Sequence, residues 1–289
     1  MIDRQLLRYF LAVVDSGTFT AAAAQVNVSQ PSLSAGIARL ERETGAKLFR
    51  RNSQRVELTE AGARLAVHAR RIEREFNLAQ ASIAGLVLVD TLRLGVLATI
   101  ATAELAGLVE RLAVSAPGTR VELVEGNERG LAQNLARGRI DLALTSLRDD
   151  AGAMDPEPLR TEGYVMALPA AHPLAGEAAI PGEALSGETM IVRRHCEALS
   201  QTSRYFTARG IRPFFALRTT NDDRALDMVA AGLGVTVVPA SHRHPGVASP
   251  ALLGFDLTRT LALLWGPDAV NMREASAPVL TALREQFGG

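Results

Sequence analysis

GTFTAAAAQVNVSQPSLSAGIARLERETG, residues 17–45, decides the fold of the N-terminal part of this chain. Thr18 suits the cap of a short helix over residues 19–26, because its hydroxyl can accept a free backbone N–H of the first turn. Ala21 to Ala24 keep that helix slim, so a neighbour can approach closely. Asn27 tolerates the left-handed conformation that a tight stop needs. Ser29 then caps another helix, and Pro31 falls in its first turn, where a missing N–H is no loss. Leu33, Ile37 and Leu40 give this helix one apolar stripe, and Gly45 ends it. Two helices joined by a turn of about three residues have helix-turn-helix geometry.

The flanks agree. Residues 3–16 carry Leu6, Leu7, Phe10, Val13 and Val14 on one helical face, with Gly17 as the stop. Downstream, Leu48-Phe49-Arg50-Arg51 and Val56-Glu57-Leu58 surround Asn52-Ser53-Gln54, a hairpin wing whose arginines can reach a phosphate backbone. The helix starting at Ser29 leads with Ser29-Gln30-Pro31-Ser32. Gln and Ser can bond base edges in a major groove, and the free N–H groups of a helix start favour phosphate.

Length and composition limit the alternatives. A chain of 289 residues suggests about two domains. An apolar content of 47% supports real cores and argues against disorder. No run approaches the roughly 20 apolar residues of a membrane helix. The opening MIDRQLLRYF lacks the basic-then-apolar pattern of a secretory leader, so the expected location is cytoplasmic. A single cysteine, Cys196, excludes an intrachain disulfide and any multi-cysteine metal site. Net charge is zero, yet residues 1–90 carry twelve basic against nine acidic side chains, and residues 91–289 nineteen against twenty-two. Six basic residues between Arg39 and Arg55 hint at a polyanion partner, although a solvated face would look the same.

These motifs resemble the LysR-type transcriptional regulators. The matching residues run in order: Phe10-Leu11-Ala12-Val13-Val14, Gly17-Thr18-Phe19-Thr20-Ala21-Ala22-Ala23, Val28-Ser29-Gln30-Pro31-Ser32-Leu33-Ser34, Leu48-Phe49-Arg50-Arg51 and Leu58-Thr59-Glu60-Ala61-Gly62. The resemblance implies a winged helix-turn-helix over residues 1–58 that binds double-stranded DNA. Its contacts would come from Ser29, Gln30, Pro31, Ser32, Ser34 and Arg39, with Arg50 and Arg51 on the wing. One departure stands out. Family members often carry long polar side chains just after the position of Ser34, whereas here stand Ala35 and Gly36. That removes candidate base readers, costs about 1 kcal/mol of helix stability at the glycine, and shifts specificity towards DNA shape.

Residues 59–89 read as a long linker helix. Leu65, Ala69, Ile72, Phe76, Ala79, Ile83 and Leu86 recur at alternating spacings of four and three, an a/d seam. Such a stripe must be buried, and pairing with a second copy is the simplest way. A dimer would hold two recognition helices at a fixed spacing for a two-fold DNA site. The alternative is packing on its own domain. The resemblance implies a dimer of dimers, with RNA polymerase as a further candidate partner.

From residue 90 to 289 strands alternate with helices. Strands are expected at 91–97, 121–125, 141–145, 164–169, 190–193, 214–217, 235–239 and 259–264. Helices are expected at 99–115, 128–137, 200–209, 222–231 and 273–287. Repeated β-α-β units imply parallel sheets covered by helices, an α/β fold. This region also resembles the LysR-type effector domain, a two-lobed fold like that of periplasmic solute-binding proteins. Leu94-Gly95-Val96, Leu135-Ala136-Arg137-Gly138-Arg139-Ile140-Asp141-Leu142-Ala143, His172-Pro173-Leu174-Ala175 and Met228-Val229-Ala230-Ala231-Gly232-Leu233-Gly234-Val235 carry that resemblance. Lobe one would span 91–160 and 266–289, and lobe two 161–265, with crossings near residues 160–163 and 264–266.

A small-molecule effector is expected between the lobes. Ligands of parallel α/β sheets sit at the C-terminal ends of strands. That nominates Ala98, Thr99, Ile100, Thr102, Thr145 and Ser146 from lobe one, and Arg193, Arg194, His195, Cys196, Thr202 and Asn221 from lobe two, with Thr220 and Asp222 beside them. Hydroxyls, helix starts and arginines suit a carboxylate. Of the two adjacent arginines, one is expected to face solvent, and each threonine could equally be a helix cap. Peroxide-sensing LysR-type members carry a cysteine preceded by histidine at about this place, with a threonine matching Thr99. Their second cysteine, nine residues on, is here Tyr205. Only a one-cysteine sulfenic switch at Cys196 remains in that alternative.

An enzyme or solute carrier is the competing class. There is no phosphate-binding glycine loop, nucleophile elbow or HExxH pair. His242-x-His244 is a weak metal signal that reads better as loop. No metal or cofactor is expected, and the reading is a regulator rather than an enzyme.

Overall fold

The structure, a computed structural model, describes residues 2–51, 56–83, 91–147, 156–266 and 276–288. The expected N-terminal unit forms. Helix α1 (Arg4–Ser16) is capped by the Asp3 side chain, and Gly17 ends it at φ 72°. Helix α2 (Phe19–Gln25) is capped by Thr18, and Asn27 takes the left-handed turn at φ 55°. Helix α3 (Gln30–Thr44) is capped by Ser29. Strands β1 (Phe49–Arg51) and β2 (Val56–Leu58) pair antiparallel as the wing. The wing tip, Asn52-Ser53-Gln54, lies outside the described residues. Phe10, Leu33, Ile37, Leu40 and Phe49 fill the core, with the Phe10 and Phe49 rings 5.2 Å apart.

Gly36 corrects the expectation attached to it. It does not leave a vacant reading position. A Cβ there would come within 2.7 Å of Tyr9 Cδ2, so the glycine is what lets α1 lie close against α3.

Helix α4 (Glu60–Ile83) is the linker helix. Its stripe divides. Ala69 is buried in the chain's own DNA-binding core and Leu65, expected in the dimer seam with it, is half-buried against that core. Ile72, Phe76, Ala79 and Ile83 stay exposed, Ile83 at 89%. The remaining seam position, Leu86, lies outside the described residues. The basic side of α4 meets lobe one. Arg70 pairs with Asp15 at 2.5 Å and donates to the Arg137 carbonyl, and Arg74 pairs with Asp141 at 2.9 Å. Arg139 donates to the Val14 carbonyl at the end of α1.

Lobe one opens with β3 (Thr91–Leu97), α5 (Thr102–Ser115), β4 (Arg120–Gly126), α6 (Glu128–Ala136) and β5 (Leu142–Ser146). Here β3 lies between β4 and β5, and all three are parallel, as expected. The helix expected from residue 99 starts only at Thr102, because Thr99 and Ile100 form a turn closed by Ile100 N–H donating to the Leu97 carbonyl. Strand β6 (Glu157–Pro169) then runs out of lobe one into lobe two. Lobe two adds β7 (Ala179–Ile180), a 3-10 turn (Gly182–Leu185), β8 (Met190–Arg193), α7 (Leu199–Ala208), β9 (Phe215–Thr219), α8 (Asp222–Ala230), β10 (Thr236–Pro239), β11 (Val247–Ala248) and β12 (Ala251–Leu252). Strand β13 (Thr258–Trp265) returns to lobe one, where α9 (Ala277–Phe287) packs on α5.

The all-parallel expectation fails at the crossings. β13 is antiparallel to both β5 and β6, and β10, β11 and β12 are antiparallel to β6, while β8 and β9 stay parallel. A strand that goes out and one that comes back must oppose each other. The return strand pairs with both lobes' strands before residues 264–266, where the crossing was expected. Residues 261–265 already pair with β5, and Leu261, Leu263, Leu264 and Trp265 sit in the lobe-one core.

Candidate functional site

Two surfaces matter: the start of α3 with the wing, and the contact between the lobes. At the first, Ser29, Gln30, Pro31 and Ser32 are exposed and Ser34 half-buried. Their side chains bond one another meanwhile. Ser29 and Ser32 hydroxyls are 2.8 Å apart, and Gln30 Nε2 donates to Ser34 Oγ at 2.9 Å. Arg39 is exposed and pairs with Glu43 at 2.9 Å, so contact with phosphate would exchange one anion for another. Arg50 is exposed, with no carboxylate partner among the described residues. Arg51 lies opposite Val56 in the wing register.

The lobes meet around Arg259 of β13, which is 4% exposed. Its Nε donates to Glu162 Oε1 at 2.9 Å and its Nη1 to Glu197 Oε1 at 2.6 Å. The same Nη1 lies 3.0 Å from Thr99 Oγ1 and 3.1 Å from the Thr99 carbonyl. Thr99 Oγ1 in turn donates to Glu197 Oε2 at 3.0 Å, and the Tyr164 hydroxyl to Glu197 Oε1 at 2.9 Å. A lobe-one turn, a crossing strand and a lobe-two loop therefore share one arginine. Burial alone would raise the Glu197 and Glu162 carboxyls, but Arg259 outweighs it and holds both below the usual range. Burial and the Glu197 charge push the Tyr164 phenol well up, keeping it a donor. A second cross-lobe bond joins Thr102 at the start of α5 to Asp223 of α8, at 2.5 Å.

The expected effector residues separate. Thr99 is fully buried at the contact, and Thr102 bridges it from the exposed side. Ala98 donates its N–H to the Gly126 carbonyl, and Ile100 packs in the lobe-one core. Thr145 is buried with no partner for its hydroxyl among the described residues, and Ser146 donates to Glu128 within lobe one. Arg193 is buried and Arg194 exposed, so one arginine of the pair does face solvent. Arg193 is no free cation. It is forked to Asp222, with Nε to Oδ1 at 2.7 Å. Burial would raise the Asp222 carboxyl, but His242 at 3.5 Å and Arg193 hold it at about 2. Asn221 caps α8 by accepting from Arg224 N–H, and Thr220 and His195 are exposed.

Sequence reasoning missed Glu162, Tyr164, Glu197 and Arg259. A signal existed for one of them: Arg259 is the only charge of β13, TRTLALLW, and a charge in such a strand needs a counter-charge, whereas β6 carries Glu157, Arg160 and Glu162 and singles none of them out. His242 and His244 face different acids, Asp222 and Asp227.

Cys196, at the start of the loop that carries Glu197, is half-buried. Burial pushes its thiol up, against the pull of Arg193, whose Nη1 lies 3.5 Å from Sγ. Tyr205 donates to the Leu253 carbonyl at 2.6 Å, and Arg209 stacks on its ring at 3.7 Å.

Comparison with known proteins agrees with this construction. Residues 4–63 match the model of the bacterial regulatory helix-turn-helix protein, lysR family, and residues 87–288 that of the LysR substrate binding domain. A probable hydrogen peroxide-inducible genes activator of Mycobacterium avium is 33% identical over 86% of this chain and 81% of its own length. A probable cat1 operon transcriptional activator of Acinetobacter lwoffii is 32% identical over 84% and 82%. Among solved structures, a full-length OxyR of Pseudomonas aeruginosa, carrying one substituted cysteine, covers 98% of this chain and 95% of its own at TM-score 0.68 and 24% identity, a likeness of fold. A winged helix-turn-helix that leads with Ser29-Gln30-Pro31-Ser32, a linker helix and two lobes closed on Arg259 are the parts of a DNA-binding transcriptional regulator, and the chain belongs to the LysR family.

Proposed function

We propose that this regulator is switched by a small carboxylate that competes with Glu197 for Arg259 and Thr99 between the lobes. The observation that carries the reading is the half-buried Glu197 carboxylate itself, held across the lobe contact on an arginine and a threonine hydroxyl. A tethered anion already occupies the position, so the site recognises carboxylate chemistry. An incoming acid that takes it releases Glu197 and with it one tie between the lobes. Such an effector shifts the equilibrium only by its preference for the released state.

Lobe one touches α1 and α4 of the same chain through Arg139, Arg70 and Arg74, which gives lobe movement a physical route to the DNA-binding unit. The exposed Ile72, Phe76 and Ile83 stripe of α4 is the part of the seam free to pair with a second copy. Ser29, Gln30, Ser32 and Ser34 would then read DNA, while Arg39, Arg50 and Arg51 hold its phosphates.

The test is a thermal-shift screen of small carboxylic acids on the full chain, followed by operator binding. Glu197→Gln should tighten any responsive acid about tenfold, since one competing charge-assisted bond is gone. Thr99→Val should weaken it and leave DNA binding intact. An acid whose affinity neither change moves would refute the assignment.

A second reading has support from the relatives' names: several similar proteins, the one of Mycobacterium avium among them, are called hydrogen peroxide-inducible activators. In that reading peroxide oxidises Cys196 to a sulfenic acid. The raised thiol and Tyr205 in the ninth place weigh against it. Loss of peroxide response in Cys196→Ser, together with a sulfenic adduct by mass spectrometry, would favour it.

A further inference from the structure

Helix α7 and the β8–β9 ribbon of lobe two face each other across a cavity of about 900 Å³. That volume is of the size that holds small organic ligands. Ile191, Phe206, Ile211, Pro213 and Phe215 supply apolar wall. The charged groups around it fall into two sets. Arg193 is neutralised by Asp222, and Glu197 by Arg259. Arg212 and Arg218 are exposed at the edge and have no carboxylate partner among the described residues; Arg218 rests over the Phe215 ring at 5.3 Å. The cavity therefore combines an apolar interior with two uncompensated cations. Thr99 and Arg259, which make the lobe contact, do not line it.

We propose that this cavity is a second binding site for a small amphipathic acid, its apolar body under α7 and its carboxylate on Arg212 and Arg218. Two guanidinium groups match a carboxylate, and the apolar wall has ring and aliphatic surface to cover. Cys196 and Glu197 line the same cavity, so an occupant packs against the loop that ties lobe two to Arg259. Occupancy thereby bears on the lobe contact without entering it.

The probe is 2-naphthoate, titrated calorimetrically into the full-length protein, with 2-naphthalenemethanol as its uncharged counterpart. Replacing Arg212 and Arg218 together by Ala should weaken naphthoate about tenfold, the worth of a charge-assisted bond, and leave the alcohol unchanged. Thr207→Trp, on the cavity side of α7, should abolish both. Thr99→Val should keep saturable binding of both, which separates this site from the one between the lobes. Cys196 gives an independent readout, because bound naphthoate should slow its alkylation by N-ethylmaleimide. DNA binding by each variant confirms its folding. Absence of saturable naphthoate binding overturns the proposal. So does binding that survives Thr207→Trp, binding lost in Thr99→Val but kept without the two arginines, or unprotected Cys196 at saturation.

Discussion

The winged helix-turn-helix and the lobe contact use arginine in opposite ways. Arg50 stands exposed on the wing with no acid among the described residues to neutralise it, while Arg259 is buried and shared by Glu162, Glu197 and Thr99. The difference follows from the partner. A DNA backbone brings its own negative charge, so the protein can leave the cation in water until contact. A contact inside the protein has to supply the counter-charge itself, because an unpaired buried ion costs several kcal/mol. A surface read by a polyanion can be open, whereas a contact that is to be switched is better closed by something displaceable.

The comparison can be broken first at Arg259. Arg259→Ala would take from the half-buried Glu197 the cation it is paired with and leave the buried Glu162 only Arg160, at 3.8 Å, and we expect a loss of about 3 kcal/mol in denaturant unfolding. A loss below about 1 kcal/mol, the range of surface pairs, would mean that the lobe contact is no more than a surface bridge.

Acid tests the buried side next. The folded Asp222 carboxyl sits at about 2, below its ordinary 3.8. A depressed carboxyl stabilises fully above its unfolded pKa, and that stability is lost as pH falls through the folded value. Between about pH 4 and pH 2 the wild-type protein should therefore lose about 2 kcal/mol more than Asp222→Asn does. Parallel pH profiles would show that Arg193 and His242 do not hold this group.

On the open side, Arg50→Ala should weaken binding to all DNA by a factor of about ten or less, and lower the slope of log affinity against log salt by about one. Stability should not change. An unaltered slope would remove the wing from the phosphate contacts. The smallest effect is at Gly36. Helix propensity alone says that Gly36→Ala stabilises by about 1 kcal/mol. The 2.7 Å approach of Tyr9 says that it destabilises, by about 1 kcal/mol net, as overpacking does. Thermal unfolding decides the sign.

Gly36 also shows where sequence reading stops. Most of what is local in the described DNA-binding unit was legible: the helix over residues 3–16, the Thr18 and Ser29 caps, the turns at Gly17 and Asn27, and the two strands of the wing. Each depends on a side chain and its backbone within a few residues. What Gly36 faces depends on α1, which no local pattern carries. The same holds for α4, where one continuous stripe predicted one seam. The fold placed Ala69 in the chain's own core with Leu65 half-buried against it, and left Ile72, Phe76 and Ile83 outside.

In the effector half, the order of strands and helices could be read from apolar runs and glycine stops, but the short strands β7, β11 and β12 could not. Two residues hold too little pattern, and their pairing with each other and with β6 is what makes them strands. The site was legible in part. Thr99 was found because it follows a strand, whereas Arg259, 160 positions later, and Glu197, 98 positions later, meet it only in space.

The amino-acid order thus determined the helix-turn-helix, the wing and the alternation that makes two lobes, because capping, glycine turns and apolar periodicity act over neighbouring residues. Tertiary structure alone decided that the crossing strands run antiparallel, that α4 divides its stripe, and that Arg259 is shared between acids from separate parts of the chain. A buried charge takes whichever counter-charges the packed strands bring within reach, and that proximity is a property of the fold.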